Sequence, residues 1–138
     1  MTRTLSDLLV REVMAPDPPT ITGRTTLREA ARRLWDTGVD ALLVVADDGA
    51  LLGLLSEREL VVAAEAQWEG LPAHTGEYLS SRFVTARPDE RFVDLLDRMA
   101  DAAVKHAVVL DGRGEPVGLV SLAGGLVLDF HDPVDAAA

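Results

Sequence analysis

The stretch Gly53-Leu54-Leu55-Ser56-Glu57-Arg58-Glu59 is the best guide to the architecture, because its first four positions return as Gly118-Leu119-Val120-Ser121. Shifting the sequence by 65 positions aligns residues 12–61 with residues 77–126 without a gap. A period of this length exceeds that of ordinary solenoid repeats and indicates a duplicated domain. We therefore expect two copies of one structural unit, repeat 1 over residues 10–67 and repeat 2 over residues 75–130.

Each repeat has the pattern of a short strand, a helix, a β-hairpin and a second helix, which predicts a mixed α/β (α+β) fold. The short strands are expected at Thr20-Ile21 and Val84-Thr85. In repeat 1, Thr26 begins a capping box and Gly38 is expected to end the helix, whereas Pro88-Asp89 is expected to open the helix of repeat 2. The residues expected to face the core from these helices are Leu27, Ala30, Ala31 and Leu34 in repeat 1, and Phe92, Leu95, Leu96, Met99 and Ala103 in repeat 2.

The hairpins are expected at residues 41–55 and 107–120, with turns at residues 47–49 and 111–114. Their near-continuous apolar runs indicate strands that are covered on both faces. The closing helix is clear from residue 57 to about residue 67, but weak over residues 122–130 because Gly124 and Gly125 lie inside it. The remaining segments are expected to be an N-terminal segment at residues 1–9, a linker at residues 68–75 and a disordered tail at residues 131–138.

Composition narrows the class of protein. Hydrophobic residues make up 48% of the 138 residues, which is enough for a compact core. The absence of cysteine excludes disulfides, thiolate metal sites and cysteine nucleophiles. The chain starts without a signal-peptide pattern and no apolar run approaches about 18 residues, so we expect a cytoplasmic protein that does not enter membranes. A formal net charge of −10 without a basic cluster argues against binding to nucleic acid.

No catalytic or metal-binding pattern is present in the sequence. The three histidines, His74, His106 and His131, are expected in a linker, a strand and a tail, and no pair has metal-ligand spacing. The nucleophile elbow and the phosphate loop of nucleotide triphosphatases are absent, and Gly112-Arg113-Gly114 is interpreted as a hairpin turn. We therefore expect a protein that binds a ligand or a partner and is not an enzyme.

The order of elements, the run from Gly53 to Glu59 and its tandem copy resemble the cystathionine beta-synthase (CBS) domain pair, over residues 10–130. The start of repeat 2, Val84-Thr85-Ala86-Arg87-Pro88-Asp89, is also typical of that family. The resemblance implies two units related by a pseudo-twofold axis. It also implies clefts between the units that bind AMP, ADP, ATP or S-adenosylmethionine as regulatory ligands, and no required cofactor. It further implies a homodimer, of the type formed by stand-alone bacterial members, and an effector protein as a partner.

The ribose-binding signature of that family is Gly, two residues, Thr or Ser, two residues, then Asp. Gly53, Ser56 and Glu59 match it in repeat 1, with the longer Glu in place of Asp. In repeat 2, Gly124 stands where the acid is required, so at most one good site per chain is expected. An alternative stays open, because Ser56 and Glu59 also have the spacing of a capping box, in which Glu59 bonds to the backbone of Ser56.

The other ligand contacts follow from the resemblance alone. Phosphate is expected at Lys105 and His106 of repeat 2, since the matching Asp40 of repeat 1 would repel it; the alternative is that both are ordinary strand-edge residues. Arg58, at a helix N-terminus, could add a phosphate contact or simply be solvated. The positions expected to surround adenine are Thr20, Ile21, Thr22 and Ala41. The competing hypothesis is a dimerisation or partner-binding module whose nucleotide site has decayed.

Overall fold

A computed structural model describes residues 4–66 and 74–122 of the chain, which contain short helices and short strands. In chain order the elements are α1 (Val10–Val13), β1 (Ala15–Pro16), β2 (Thr20–Thr22), α2 (Leu27–Thr37), β3 (Ala41–Val45), β4 (Leu51–Ser56), α3 (Glu57–Ala66), β5 (Val84–Ala86), α4 (Phe92–Ala102), β6 (His106–Leu110) and β7 (Pro116–Ser121). Within the described ranges, no helix is long and apolar enough to cross a membrane. The mixed α+β fold and the repeated order of strand, helix and hairpin are confirmed.

The chain forms two compact units. The first body is Pro18–Ser81, and the second body combines Met1–Asp17 with Arg82–Ala138. The first body has a three-stranded sheet in the order β2-β3-β4, and the second has a four-stranded sheet in the order β1-β7-β6-β5. In each sheet the short first strand of the repeat runs parallel to the next strand, which then pairs with the last strand as an antiparallel hairpin.

The two bodies are not the two consecutive repeats, because each contains the segment that precedes the other repeat's first strand. Ala15 pairs with Leu119 of repeat 2, and the residue 65 positions later, Ser80, exchanges two backbone hydrogen bonds with Leu54 of repeat 1, at 3.0 and 2.8 Å. Residues 10–17 therefore pack with repeat 2, and residues 74–81 pack with repeat 1. The exchange is reciprocal and obeys the period of the sequence.

The repeated glycines are required by this exchange. A Cβ atom at Gly53 would lie 2.9 Å from Ser80 O and 3.1 Å from Leu79 Cβ. A Cβ atom at Gly118 would overlap the side chain of Met14, the residue that matches Leu79 in the other body. Any larger residue at either glycine would push the incoming segment off the sheet.

The termini of α2 and α4 show which local sequence signals determine where these helices begin and end. Thr26 caps α2 by accepting the Glu29 N–H at 3.2 Å, and Gly38 ends it with a φ of 71°. In repeat 2 the prediction that Pro88-Asp89 opens the helix is wrong, because α4 begins at Phe92 after a turn in which Glu90 N–H donates to Arg87 O at 3.2 Å.

Each body has its own apolar core. Phe92, Leu95 and Met99 of α4 are fully buried in the second body, and Ala30 of α2 is fully buried in the first. Leu27, Leu34 and Leu96 are partly buried against these cores. Ala31 and Ala103 were assigned to the apolar stripes but are exposed. Ala103 is the C-cap of α4, with a φ of 55°, so it lies past the end of the stripe.

Several predicted segments differ or lie outside the described residues. Leu8, from the N-terminal segment outside both predicted repeats, is buried in the core of the second body. Thr75, expected in a linker, is fully buried and donates its hydroxyl to Thr22 O at 2.8 Å. Other predicted segments lie outside the described residues. They are residue 67, most of the linker, the expected helix over residues 122–130 apart from its first residue, and the tail.

Candidate functional site

The candidate ribose position lies at one end of the sheet of the first body. Ser56 is the last residue of β4 and pairs with Ala41, the first residue of β3. Helix α3 starts at the next residue, which places Arg58 and Glu59 in its first turn. The fold therefore gathers four of the predicted site residues, because the end of one strand, the start of its neighbour and a helix N-terminus coincide here.

Glu59 and Ser56 form a compact polar pair. The Ser56 N–H donates to Glu59 Oε1 at 2.7 Å, and the Ser56 hydroxyl donates to the same oxygen at 2.6 Å. The backbone bond is the one expected for a capping box, and both residues are half-buried. In this structure Glu59 is thus in the cap arrangement that the sequence left as an alternative to a ribose ligand.

The cap uses only half of the carboxylate. Glu59 Oε2 accepts no hydrogen bond from any residue that the structure describes. A carboxylate oxygen can accept up to two hydrogen bonds, and the Ser56 oxygen keeps lone pairs after donating its proton. The pair can therefore accept a hydrogen bond from a ligand hydroxyl while the helix remains capped. It cannot offer both carboxylate oxygens to two ribose hydroxyls at once.

The outer edge of β2 provides the backbone positions predicted for adenine. Strand β2 runs parallel to β3, and Leu43 N–H donates to Pro19 O at 3.2 Å. In this parallel register the N–H and C=O of Thr20 point away from β3. Thr22 O is already engaged, since it accepts the Thr75 hydroxyl at 2.8 Å and the Thr25 N–H at 3.1 Å. Thr20 is exposed, so it is the residue at which this strand edge can receive a planar ligand.

The remaining predicted contacts in the first body differ in accessibility. Ile21 is 5% exposed and Ala41 is 0% exposed, because both side chains point into the protein. Ala41 therefore offers no surface to a ligand in this conformation. Arg58 is exposed, and its guanidinium forms no hydrogen bond or ion pair with the described residues. It lies where the dipole and the free N–H groups of α3 favour an anion.

The matching end of the second body carries different chemistry. His106 begins β6 and pairs with Ser121, the last residue of β7, as Ala41 pairs with Ser56. Lys105 precedes this strand and is exposed, whereas His106 and Ser121 are half-buried. The repeat-2 counterpart of Glu59, Gly124, lies outside the described residues, but its identity alone shows that no carboxylate follows Ser121 at this spacing.

Two polar contacts next to these strands were not predicted. Thr75 seals Thr22 O in the first body, and in the second body Arg98 donates to Thr85 O at 3.0 Å. The identity of Arg33 with Arg98 in the repeat alignment was the available signal for the second contact. The contact itself depends on which residues the fold brings beside the arginine, so the alignment alone could not reveal it.

Comparisons with known proteins agree with this architecture. The CBS domain family model matches residues 10–66 and 76–123. The chain is 29% identical over 124 residues to a homoserine O-acetyltransferase of Methanosphaerula palustris, in an alignment that covers 90% of this chain and 24% of that protein. It thus spans about a quarter of the length of that relative and of an L-aspartate semialdehyde sulfurtransferase of Methanosarcina acetivorans.

Solved structures share the fold. The CBS domain pair of protein MJ0100, in complex with 5'-methylthioadenosine and S-adenosyl-L-methionine, matches with a TM-score of 0.71 at 24% identity, covering 83% of this chain and 89% of that chain. The cytosolic domain of the Mg2+ channel MgtE, in complex with ATP, matches with a TM-score of 0.65 at 26% identity, covering 80% of this chain and 44% of that chain. Because the family model matches both repeats, the chain belongs to the CBS domain family and contains a tandem pair of CBS domains.

Proposed function

We propose that this CBS pair is a non-catalytic regulatory module that binds one adenosine-containing ligand per chain, with the ribose at Glu59. The observation that carries the proposal is that the two oxygens of this carboxylate differ. Oε1 accepts both hydrogen bonds from Ser56, whereas Oε2 has no partner among the described residues. A charged acceptor held in place by a helix cap can bind a hydroxyl without losing rotamer entropy at the moment of binding.

The ligand class is supported by relatives of the same fold. One solved neighbour holds 5'-methylthioadenosine and S-adenosyl-L-methionine, and another holds ATP. Adenine would use the exposed strand edge at Thr20, and a phosphate would be attracted by Arg58 at the start of α3. Lys105 and His106 supply an ammonium group and an imidazole, two groups that attract an anionic phosphate.

Signalling by such a module requires different affinities of the ligand for two arrangements of the protein. A ligand that prefers one arrangement of the two bodies, or of two chains, shifts the population towards it and presents a changed surface to an effector protein. The proposed role is therefore sensing of a nucleotide level, and it involves no chemical conversion of the ligand.

A thermal-shift panel with AMP, ADP, ATP and S-adenosylmethionine, followed by titration calorimetry, tests this proposal. A ligand at about 100 times its dissociation constant stabilises the folded state by about 2.7 kcal/mol. We expect at least one of the four to raise the melting temperature and to bind with one site per chain. No shift with any of them at millimolar concentration would reject the nucleotide function.

A second function is favoured by the surface of the helices. Trp35 of α2 is 88% exposed, and Val61 and Val62 of α3 are each 51% exposed. Large apolar side chains are often buried when a partner binds, and tryptophan is enriched in such interfaces. If no nucleotide binds, the module would instead act as a ligand-free dimerisation or partner-binding unit. Co-sedimentation of the chain with a candidate effector, in the absence of nucleotide, would reveal this role.

A further inference from the structure

In the second body an arginine covers the outer edge of the short first strand. Arg98 of α4 donates from Nη1 to Thr85 O at 3.0 Å. Its Nε donates to Glu90 Oε1 at 3.1 Å, and Nη2 pairs with the same oxygen. Glu90 is itself held, because its Oε2 accepts the Arg87 N–H at 3.3 Å. The strand-edge carbonyl that a ligand would use is therefore already occupied by a side chain that is fixed at its other end.

The first body contains the same arginine without its partner. Arg33 of α2 corresponds to Arg98, and Thr20 corresponds to Thr85, but Thr25 stands in the place of Glu90. The Arg33 guanidinium is exposed and makes no hydrogen bond or ion pair within the described part of the chain. The carbonyl of Thr20 accordingly receives no arginine.

The backbone around Thr25 and Glu90 is the same, so the difference resides in the side chain. Thr25 N–H donates to Thr22 O at 3.1 Å, and Glu90 N–H donates to Arg87 O at 3.2 Å. The carbonyl of Thr25 accepts the Thr75 N–H at 2.9 Å, and that of Glu90 accepts the Val10 N–H at 2.8 Å. A glutamate placed at position 25 would start from the position that Glu90 occupies in its own body.

We propose that Glu90 and Arg98 close the strand edge of repeat 2 to ligands, and that Thr25 keeps the matching edge of repeat 1 open. A ligand at Thr85 would have to break a hydrogen bond and an ion pair that has a half-exposed guanidinium and a mostly buried carboxylate. A ligand at Thr20 would break no side-chain hydrogen bond to the carbonyl of that residue within residues 4–66 and 74–122. This inference rests on the proposed binding of an adenosine-containing ligand, and it identifies Thr25 and Glu90 as positioning residues that decide which repeat can bind it.

The test transfers the block to repeat 1. Thr25→Glu supplies the missing carboxylate, Thr25→Gln is the matched control of equal length without the charge, and Thr25→Glu combined with Arg33→Ala removes the arginine that the new carboxylate would hold. The Kd values for AMP, ATP and S-adenosylmethionine are measured by calorimetry for these variants, for Arg33→Ala and for the wild type. Thermal melts of each variant confirm that it folds.

We expect Thr25→Glu to weaken whichever probe the wild type binds by about tenfold or more, since a charged pair must be broken to reach Thr20. Thr25→Gln should change the Kd by less than about threefold, because a neutral amide holds a guanidinium more weakly. The double variant should return to the Kd of Arg33→Ala. Recovery by removal of Arg33 separates the block from a local distortion, which the second substitution would not repair.

Two kinds of failure are distinguishable. If the wild type binds none of these three probes, nor ADP in the thermal-shift panel, the proposed function is rejected, and this inference with it. If the wild type binds but Thr25→Glu retains its affinity, or the double variant stays as weak as Thr25→Glu, the assignment of Thr25 and Glu90 is wrong while the ligand function stands. Two equivalent sites per chain in the wild type would also overturn the closure of repeat 2.

Discussion

Glu59 binds both polar hydrogens of Ser56 with a single carboxylate oxygen, at 2.7 Å from the backbone nitrogen and 2.6 Å from the hydroxyl oxygen. The cap and the ribose hypothesis were alternatives in the sequence because one carboxylate rarely does both jobs. The geometry removes the conflict, since the cap leaves the second oxygen without a partner in the described residues. It also allows the two roles to be separated by substitution.

Glu59→Gln should weaken adenosine binding with little loss of stability. The amide oxygen of Gln can still accept the Ser56 N–H, but the negative charge that strengthens a bond to a ribose hydroxyl is gone. We expect a loss of about 1.5–3 kcal/mol in binding free energy by calorimetry. Glu59→Ala should abolish binding and also lower the free energy of unfolding by about 1 kcal/mol through loss of the cap.

Ser121→Ala is the control in repeat 2, because no carboxylate follows it at the cap spacing. It should leave the affinity for adenosine unchanged. If Glu59→Gln binds adenosine as tightly as the wild type, Glu59 is a helix cap alone and the ribose position proposed here is wrong.

Lys105→Ala should weaken ATP and spare adenosine. Lys105 is exposed and carries a positive charge that only the phosphates of the ligand would sense. Calorimetry with both ligands at two salt concentrations measures the difference, which should shrink as salt screens the charge. An equal loss for ATP and adenosine would show that Lys105 acts through the fold, and no loss for either would make it an ordinary strand-edge residue.

Ala103→Gly should stabilise the protein. Ala103 ends α4 with a φ of 55°, where the matching residue of α2, Gly38, has a φ of 71°. A left-handed conformation costs a residue with a Cβ about 1–2 kcal/mol, and the greater freedom of glycine in the unfolded chain returns about 0.4–1 kcal/mol of that. We expect a net gain of about 0.5–1 kcal/mol in the free energy of unfolding, measured by urea denaturation.

Gly38→Ala is the reverse substitution at the matching position and should destabilise by a similar amount. Among the residues that the structure describes, no atom beyond the adjacent residues lies within 4 Å of the added Cβ, so the substitution tests the backbone conformation. If both substitutions change stability in the same direction, the left-handed caps do not explain the difference between the two helices.

Asp111 should titrate at a lower pH than an ordinary aspartate. Hydrogen bonds from the backbone N–H groups of Glu115 and Arg113 lower the pKa of its carboxyl group. When the pKa of a carboxyl group is lower in the folded state than in the unfolded state, it stabilises the fold at pH values above the unfolded-state pKa. That contribution is lost as the pH falls through the folded-state pKa. Carboxyl carbon shifts in an NMR titration give the midpoint directly, and a midpoint at or above about 3.9 would contradict the turn geometry.

The sequence predicted those features that local chemistry determines. Thr26 and Gly38 are specified by capping and by left-handed conformation, and the spacing from Ser56 to Glu59 predicted the bond that the structure contains. The reciprocal exchange was not foreseen, because Leu8 and Met14 pack against residues of repeat 2 that are distant from them in the sequence. No pattern of polarity or period within residues 8–16 states which repeat they join.

The predicted start of α4 was wrong for a related reason. Pro88 is a good first residue of a helix, but its carbonyl accepts the Arg11 N–H at 3.0 Å from the exchanged segment. A carbonyl engaged across the chain is not available to an intrahelical bond, so the helix starts later. The sequence also did not reveal the partner of Arg98. Glu90 is eight residues away, and only the turn before α4 brings it to the arginine.

The chain should be a homodimer with Trp35 in its interface. The Trp35 indole is 88% exposed, and tryptophan is enriched in protein interfaces, where its large apolar area is buried. We expect sedimentation at about 50 μM to give a dimer, a concentration at which specific interfaces assemble. Trp35→Glu should shift the protein towards monomer, whereas Asp36→Asn, an exposed polar neighbour on α2, should leave the dimer intact. A monomeric wild type would reject the dimer, and a dimeric Trp35→Glu variant would place the interface elsewhere.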